Sequence, residues 1–296
     1  MNLEMGVFEA TVKPLIIHLI RTNEKKYTIS ILNDNFIRVS SIDINDILQE
    51  KSLSIDTTSN DIQKKVFQKI EKNSFPLENV IQFSRGIKTS DDKRFVGVDK
   101  LNDEYKPVYR GKNIKAYKLK WNNEYIWYRP DLMKEKVGSV SYSKKFFEVD
   151  EKIVTQRVNS SSQLLVAYDD KQKYFLDTAN VSRIDRWDKK FSLKYLCGLL
   201  NSQLINFWYC NKYKMPTIGL YELHTIPLKK ITIEQQKPFI DRVEKILSFK
   251  FQNQDTTALE KEIDVLVYKL YELSYEEVLI IDPAFGLAKK DYEALG

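Results

Sequence analysis

The chain has 296 residues, with 47 Lys+Arg against 41 Asp+Glu for a formal net charge of +6, and 43% of it is hydrophobic. That is enough apolar matter for one large core or two modest ones, and nine Gly with eight Pro are too few for a fibrous or disordered chain. Two cysteines, Cys197 and Cys210, exclude a disulfide scaffold and point to a reducing cytoplasm, and no apolar run approaches the roughly 18 residues of a membrane span.

In chain order, residues 7–12 and 15–20 are apolar and β-branched, break at Arg21-Thr22-Asn23-Glu24 and resume over 26–32. This predicts a β-hairpin at the start, too apolar to stand alone as a two-stranded ribbon. A polar stretch over 43–60 ends in a helix entry, and Ile62, Val66, Phe67 and Ile70 then keep helical spacing, which predicts a connector helix over 61–72 stopped near Pro76. From 77 to 231 the texture is one of short Tyr-, Phe-, Val- and Trp-rich segments: 80–83, 107–109, 117–121, 125–128, 153–157, 164–168, 174–176 and 181–184. Short strands at this spacing predict a mainly β domain. Within it, Leu193, Leu196, Leu199, Leu200, Leu204 and Phe207 repeat at three and four residues and predict a helix or helix pair leaning on the sheet. After Pro227, Thr232 is a candidate cap; Ile240, Val243, Ile246, Leu247 and Phe251 form one stripe, and Leu259, Ile263, Val267, Leu270 and Leu273 a second. Two such helices predict an antiparallel hairpin over 232–275, followed by a tail over 276–296.

What the sequence lacks narrows the chemistry. There is no G-x-G-x-x-G, no G-x-x-x-x-G-K-[ST] and no G-x-S-x-G, so dinucleotide, ATP-binding and α/β-hydrolase readings have no support. His18 and His224 stand alone and read as surface or packing residues rather than zinc ligands. Glu104-Tyr105-Lys106 with Asp91 and Asp92 upstream has the spacing of a metal-dependent nuclease, but Glu and Lys are abundant enough here to give such a triplet by chance.

Charge is uneven: residues 1–75 sum to zero, 76–232 to +11 and 233–296 to −5. A basic β domain of this size is a candidate for a nucleic-acid surface, because cations on one face release counterions from a phosphate backbone. Three clusters stand out: Arg85, Lys88, Thr89, Lys93 and Arg94 around Gly86; Arg110, Lys112, Lys115, Lys118 and Lys120 among Tyr109, Asn113, Tyr117 and Trp121; and Lys212, Tyr213 and Lys214 before Pro216. A solvated strand and turn would explain the second cluster equally well.

Several segments occur together in one order: Tyr109-Arg110-Gly111-Lys112-Asn113-Ile114, Ile153-Val154-Thr155-Gln156-Arg157, Tyr195 through Leu199-Leu200-Asn201-Ser202, Ile226-Pro227-Leu228 with Gln235, and Glu262-Ile263-Asp264 with Val267-Tyr268 and Leu270-Tyr271. Over roughly 77–282 the chain resembles the C-terminal specificity domain of TaqI-like and Eco57I-like adenine DNA methyltransferases and of fused restriction-modification enzymes. The resemblance implies an α+β fold: a mainly β target-recognition domain over 77–231 with a packed helix, then the helical hairpin. It makes 1–35 the closing hairpin of a methyltransferase domain and 36–76 a linker with a helix. The cofactor loop and the Asn-Pro-Pro-Tyr motif that would hold a flipped adenine are absent from this sequence, so the chain is expected to be a fragment or a truncated or split gene product, non-catalytic alone. S-adenosylmethionine is expected in the parent enzyme and no cofactor in this chain.

The implied partners are double-stranded DNA and a methyltransferase catalytic domain, in cis or in trans, with no membrane. Arg85, Arg94, Arg110 and Arg183 are candidates for guanine contacts, since a guanidinium pairs bidentately with the major-groove edge of G. Lys88, Lys112, Lys115, Lys118 and Lys214 would hold phosphates, with Thr89, Lys93 and Lys212 in the same loops. Asn113 either contacts adenine or closes a turn after Gly111. Asn201 and Ser202 belong to the resemblance, yet a helix break stabilised by side-chain bonds to the backbone explains them more simply. The terminal helices pair either with each other or with a partner chain.

Overall fold

In a computed structural model of the protein, the described residues are 18, 27–33, 35–49, 61–158, 163–213 and 217–295. Apart from the exposed His18, the predicted strands over 7–12 and 15–20 lie outside them. The chain divides into two units, Met1–Lys69 and Ile70–Gly296.

In the first unit, β1 (Thr28–Leu32) does not pair with anything upstream among the described residues. Its partner is β2 (Arg38–Asp43), antiparallel from Thr28↔Asp43 to Leu32↔Arg38 with a bulge at Ile31/Leu32. Asn33 makes the turn, its Oδ1 accepting from the amides of Asn35 and Ile37 at 3.1 and 2.9 Å. A short helix α1 (Ile44–Gln49) follows, and α2 (Asp61–Glu71) is the predicted connector. Val66, Phe67 and Ile70 are buried on it as the periodicity requires, while Ile62 faces out.

The second unit opens with β3 (Ser74–Pro76), β4 (Ile81–Arg85), α3 (Asp92–Phe95), β5 (Val96–Gly97), β6 (Tyr105–Tyr109), β7 (Ile114–Lys115), β8 (Lys118–Leu119), β9 (Tyr125–Trp127) and α4 (Pro130–Met133). Then come β10 (Lys152–Gln156), β11 (Val166–Asp169), β12 (Tyr174–Phe175), β13 (Ala179–Trp187), α5 (Leu193–Asn201), α6 (Gln203–Tyr213), α7 (Leu220–His224) and β14 (Pro227–Lys229). Two four-stranded sheets form, an antiparallel one in the order β11-β10-β13-β4 and a mixed one in the order β12-β6-β9-β5, where β12 and β6 run parallel. Val154, Ala167 and Val181 of the first pack with Val108, Ile126, Tyr174 and Phe175 of the second in one core, joined by Phe95, Met133 and Phe147. The other face of the first sheet meets α5. Covered on both sides, β10 is buried at all five residues.

Side chains help to close the free edges of that sheet, with the Tyr117 amide also donating to the Val166 carbonyl at 2.8 Å. At β11, the Asn201 amide accepts from the Val166 N–H at 2.9 Å and donates to its carbonyl at 2.8 Å. At β4, His224 Nε2 accepts from the Phe83 N–H at 2.8 Å. Both are structural roles; Ser202 breaks the predicted helix into α5 and α6, its hydroxyl donating to the Leu199 carbonyl at 2.7 Å.

The last elements are α8 (Ile233–Phe251), α9 (Thr257–Leu270), α10 (Tyr275–Ile281) and α11 (Lys289–Ala294). Thr232 and Gln235 form a reciprocal capping box at the start of α8. The stripes pair within the chain: Val243, Ile246, Ile263 and Val267 are buried, and Arg242–Glu262 and Lys250–Glu260 bridge the antiparallel helices at 2.8 Å each. Phe251 departs from its stripe and is 88% exposed. α10 and α11 lie in the predicted tail, where Tyr292 is buried and its hydroxyl donates to the Leu273 carbonyl at 2.8 Å. The fold is thus α+β with its helices gathered at the end.

Among the described residues, one ion pair is fully buried. Lys152 Nζ and Asp169 Oδ2 are 2.6 Å apart and neither side chain is exposed. The ammonium also donates to the Phe147 carbonyl at 2.6 Å, and the carboxylate accepts from the amides of Lys171 and Lys173 at 2.9 Å each. Replacing one partner leaves the other charge buried and uncompensated. Lys152→Met is expected to destabilise the chain by about 3–5 kcal/mol in urea unfolding, and the double variant Lys152→Met/Asp169→Leu by less than the single one. A second expectation concerns His224, whose pKa burial lowers. A histidine so depressed contributes stability that is present above its ordinary value and lost as pH falls through the folded-state value. Protonation also sets a donor against the Phe83 N–H. Unfolding free energy should therefore fall by on the order of 1 kcal/mol between about pH 7 and pH 5, and His224→Gln should flatten that slope.

Candidate nucleic-acid interface

The two main basic loops rest on one turn, residues 176–178. Gly86 donates to the Ala179 carbonyl at 3.0 Å, Ile87 to that of Phe175 at 2.8 Å, and Asp177 returns a bond to Ile87 at 2.8 Å. Gly111 donates its amide to Thr178 Oγ1 at 2.9 Å. A β-carbon on Gly86 would stand 2.3 Å from the Leu176 carbonyl oxygen, and one on Gly111 2.2 Å from that of Thr178. Glycine is needed at both because backbone meets backbone there. Arg157 continues the contact, donating through its amide to the Thr178 carbonyl at 2.8 Å and accepting from Ile218 at 2.7 Å.

Arg110 joins the loops. Its Nε is shared between both Glu124 oxygens at 3.0 and 3.1 Å, and a terminal nitrogen reaches Asp92 at 3.2 Å. Burial disfavours its charge, but Glu124 and then Asp92 outweigh that and hold the guanidinium protonated. Arg85, Lys88, Lys93 and Lys112 are exposed, with no ion-pair partner among the described residues. Arg94 lies over the Phe95 ring at 5.0 Å and 3.6 Å from Glu135, and Arg183 forks onto Asp185 at 2.7 and 3.2 Å.

Other predicted residues are elsewhere or committed inward. Thr89 is buried, its hydroxyl donating to Asp92 at 2.6 Å and accepting from the Asp91 amide at 3.1 Å. Asn113 is buried too, and its Oδ1 accepts from the Arg110 amide at 2.7 Å; of its two readings, the turn is the one formed. Lys115 is exposed on the β7–β8 hairpin, whereas Lys118 turns to Asn253 at 2.7 Å. Lys212 lies 2.6 Å from Glu71 and 5.0 Å from the centre of the Trp208 ring, and Lys214 falls outside the described residues.

Residues 106–233 match the TaqI-like C-terminal specificity domain. The matched segment is similar to such a specificity domain. It begins in β6, includes the 176–178 turn and ends as α8 starts. Over 277 residues the chain is 26% identical to "Putative type II restriction enzyme and methyltransferase RM.MjaORFECS2P" of Methanocaldococcus jannaschii, a match that covers 87% of this chain and 22% of the relative. The chain therefore spans about a fifth of that relative's length. The type IIL restriction-modification enzyme MmeI, solved in complex with DNA, shares the fold at a TM-score of 0.50 and 10% identity, over 93% of this chain and 42% of its own.

The residues of the nuclease spacing are each committed elsewhere. Glu104 takes the Trp127 indole N–H at 2.8 Å and faces Arg129 at 3.7 Å, while Asp91 and Asp92 are held by Lys136 and Arg110. Among the described residues, no three His, Cys, Asp or Glu side chains converge as metal ligands, and no helix is long and apolar enough to cross a membrane.

Because the Gly111 contact is backbone on backbone, Gly111→Ala must push the 110–113 turn off Thr178. The expected cost is about 1–3 kcal/mol of stability, read by thermal and urea unfolding, with Gly97→Ala, where a β-carbon meets nothing, as a near-neutral control.

Proposed function

We propose that this chain is the DNA target-recognition part of a restriction-modification enzyme that methylates adenine at N6. What carries the reading is a coincidence of fold and charge: the segment matching a specificity domain supplies the turn on which both basic loops rest, and exposed cations with no ion-pair partner among the described residues line those loops. Cations free of internal partners are the ones a phosphate backbone can engage without first breaking an ion pair. Lys88, Lys93 and Lys112 then hold phosphates, and Arg85 is the guanidinium best placed for a base edge. Arg110 positions the loops through Glu124 and Asp92 instead of reading a base. Catalysis and S-adenosylmethionine belong to a methyltransferase module joined in cis or supplied in trans.

Duplex binding by the purified chain should weaken steeply as salt rises, with log–log slope growing by about 0.9 per phosphate engaged. Lys112→Ala should weaken binding to all sequences alike and flatten the slope by about 1, whereas Arg85→Ala should cost about 1–3 kcal/mol and relax one base position. A chain with no salt-sensitive affinity for any duplex would end this reading. Adding the chain to a methyltransferase module should confer methyl transfer at adenine N6 within one sequence; transfer that ignores the chain would refute the adenine assignment.

A further inference from the structure

Residues 133–147 build an arm that the basic clusters did not include. Met133 and Phe147 are both fully buried and fix its ends. Lys88 and Val140 exchange two backbone bonds at 2.8 Å each, and the Tyr128 hydroxyl donates to the Tyr142 carbonyl. Tyr142 stacks on Phe146 with ring centres 4.1 Å apart. Two ion pairs, Arg94–Glu135 at 3.6 Å and Lys136–Asp91 at 3.4 Å, bind the arm to the 85–94 loop. Between these anchors the chain turns at Gly138, where φ is +78°, and next to it Val137 stands 99% exposed.

A single exposed valine is ordinary. This one sits at the tip of an arm held from both ends and bridged in the middle, within a segment carrying four lysines against one glutamate. Lys144 and Lys145 are exposed and have no ion pair among the described residues. Apolar exposure on the arm is confined to Val137 and Val140, far less than a protein interface requires. Lysines flanking a small apolar tip instead suit a nucleic acid: ammonium groups meet phosphates, and a branched apolar side chain meets a thymine methyl or enters a base step. Fixing the arm before contact lowers the entropy lost on binding.

Resting on the DNA-reading function proposed above, we infer that residues 133–147 are a second DNA-contacting arm, with Lys144 and Lys145 on backbone phosphates and Val137 against the bases. The arm adds sequence discrimination at a place where no arginine or asparagine stands.

The test uses the full chain, with all three side chains exposed so that the variants keep the wild-type melting curve. Against a short mixed-sequence duplex, Lys144→Ala/Lys145→Ala should flatten the salt dependence by about two units. Val137→Ser should leave that slope unchanged, yet in selection from a randomised duplex pool it should relax preference at one base position and lower affinity for the selected site about five- to tenfold. Wild-type binding with both variants unaltered in slope, affinity and preference would overturn the arm alone. Wild-type chain that binds no duplex would overturn the recognition reading and the arm with it, which keeps the two failures distinct. A flattened slope with unchanged Val137→Ser preference would remove the base contact.

Discussion

The Lys152–Asp169 pair is the contact on which the rest of the β domain is hung. Taking two charges fully out of water costs several kcal/mol each unless every donor and acceptor is met. Here the Phe147 carbonyl and the Lys171 and Lys173 amides meet them. Those partners decide what the pair does. Phe147 closes the 133–147 arm, and the amides after Asp169 shape the turn that carries the chain out of β11 in one sheet and into β12 in the other. Burial lowers the Lys152 pKa and the carboxylate opposes that, so the core holds its charge only while the turn stays formed. Immediately beyond β12 lies the 176–178 turn under both basic loops. A single desolvated pair thus sets the sheet crossing and, through it, the seat of the candidate interface.

The same sheet is capped at its rims by polar side chains and, at Val166, also by the Tyr117 amide at 2.8 Å. An unpaired edge invites pairing with another chain. Asn201 satisfies both backbone groups of Val166 and His224 satisfies the amide of Phe83, which end the ladder on either side without adding apolar surface. With one face on the second sheet and the other on α5, the strands have little freedom left. Loops that leave such a sheet inherit its rigidity.

Much of this was legible in the sequence. The helices were, because a 3.6-residue period and a capping box are local signals: Val243 and Ile246, Ile263 and Val267 all face inward, and Thr232 caps α8. Most strands of the β domain fell where aromatic and β-branched residues cluster. β2 did not, since Arg38-Val39-Ser40-Ser41-Ile42-Asp43 carries little apolar pattern and is held in place by its register with β1. Thr89 and Asn113 show a different limit. A threonine or asparagine beside glycine and lysine has the same composition whether it reads a base or closes a turn, and only the partner atom, Asp92 Oδ1 or the Arg110 amide, separates the two. No spacing rule joins Lys152 to Asp169 either, because the register of β10 against β11 brings them together.

The acidic residues within the basic loops complete the logic. Asp91, Asp92, Glu124 and Glu135 lower the net charge of a surface whose proposed partner is a polyanion, which looks self-defeating if affinity is counted in charges alone. Their positions argue otherwise. Each is bound to a cation on another loop: Asp91 to Lys136, Asp92 and Glu124 to Arg110, Glu135 to Arg94. They hold the loops in one arrangement before the proposed partner arrives, and that order would otherwise be paid for at binding. The cations left over, Arg85, Lys88, Lys93 and Lys112, are then presented in fixed places. A surface of loose lysines would bind every duplex about equally, while a fixed pattern of fewer cations meets phosphates at a set spacing and so fixes which base edges come within reach.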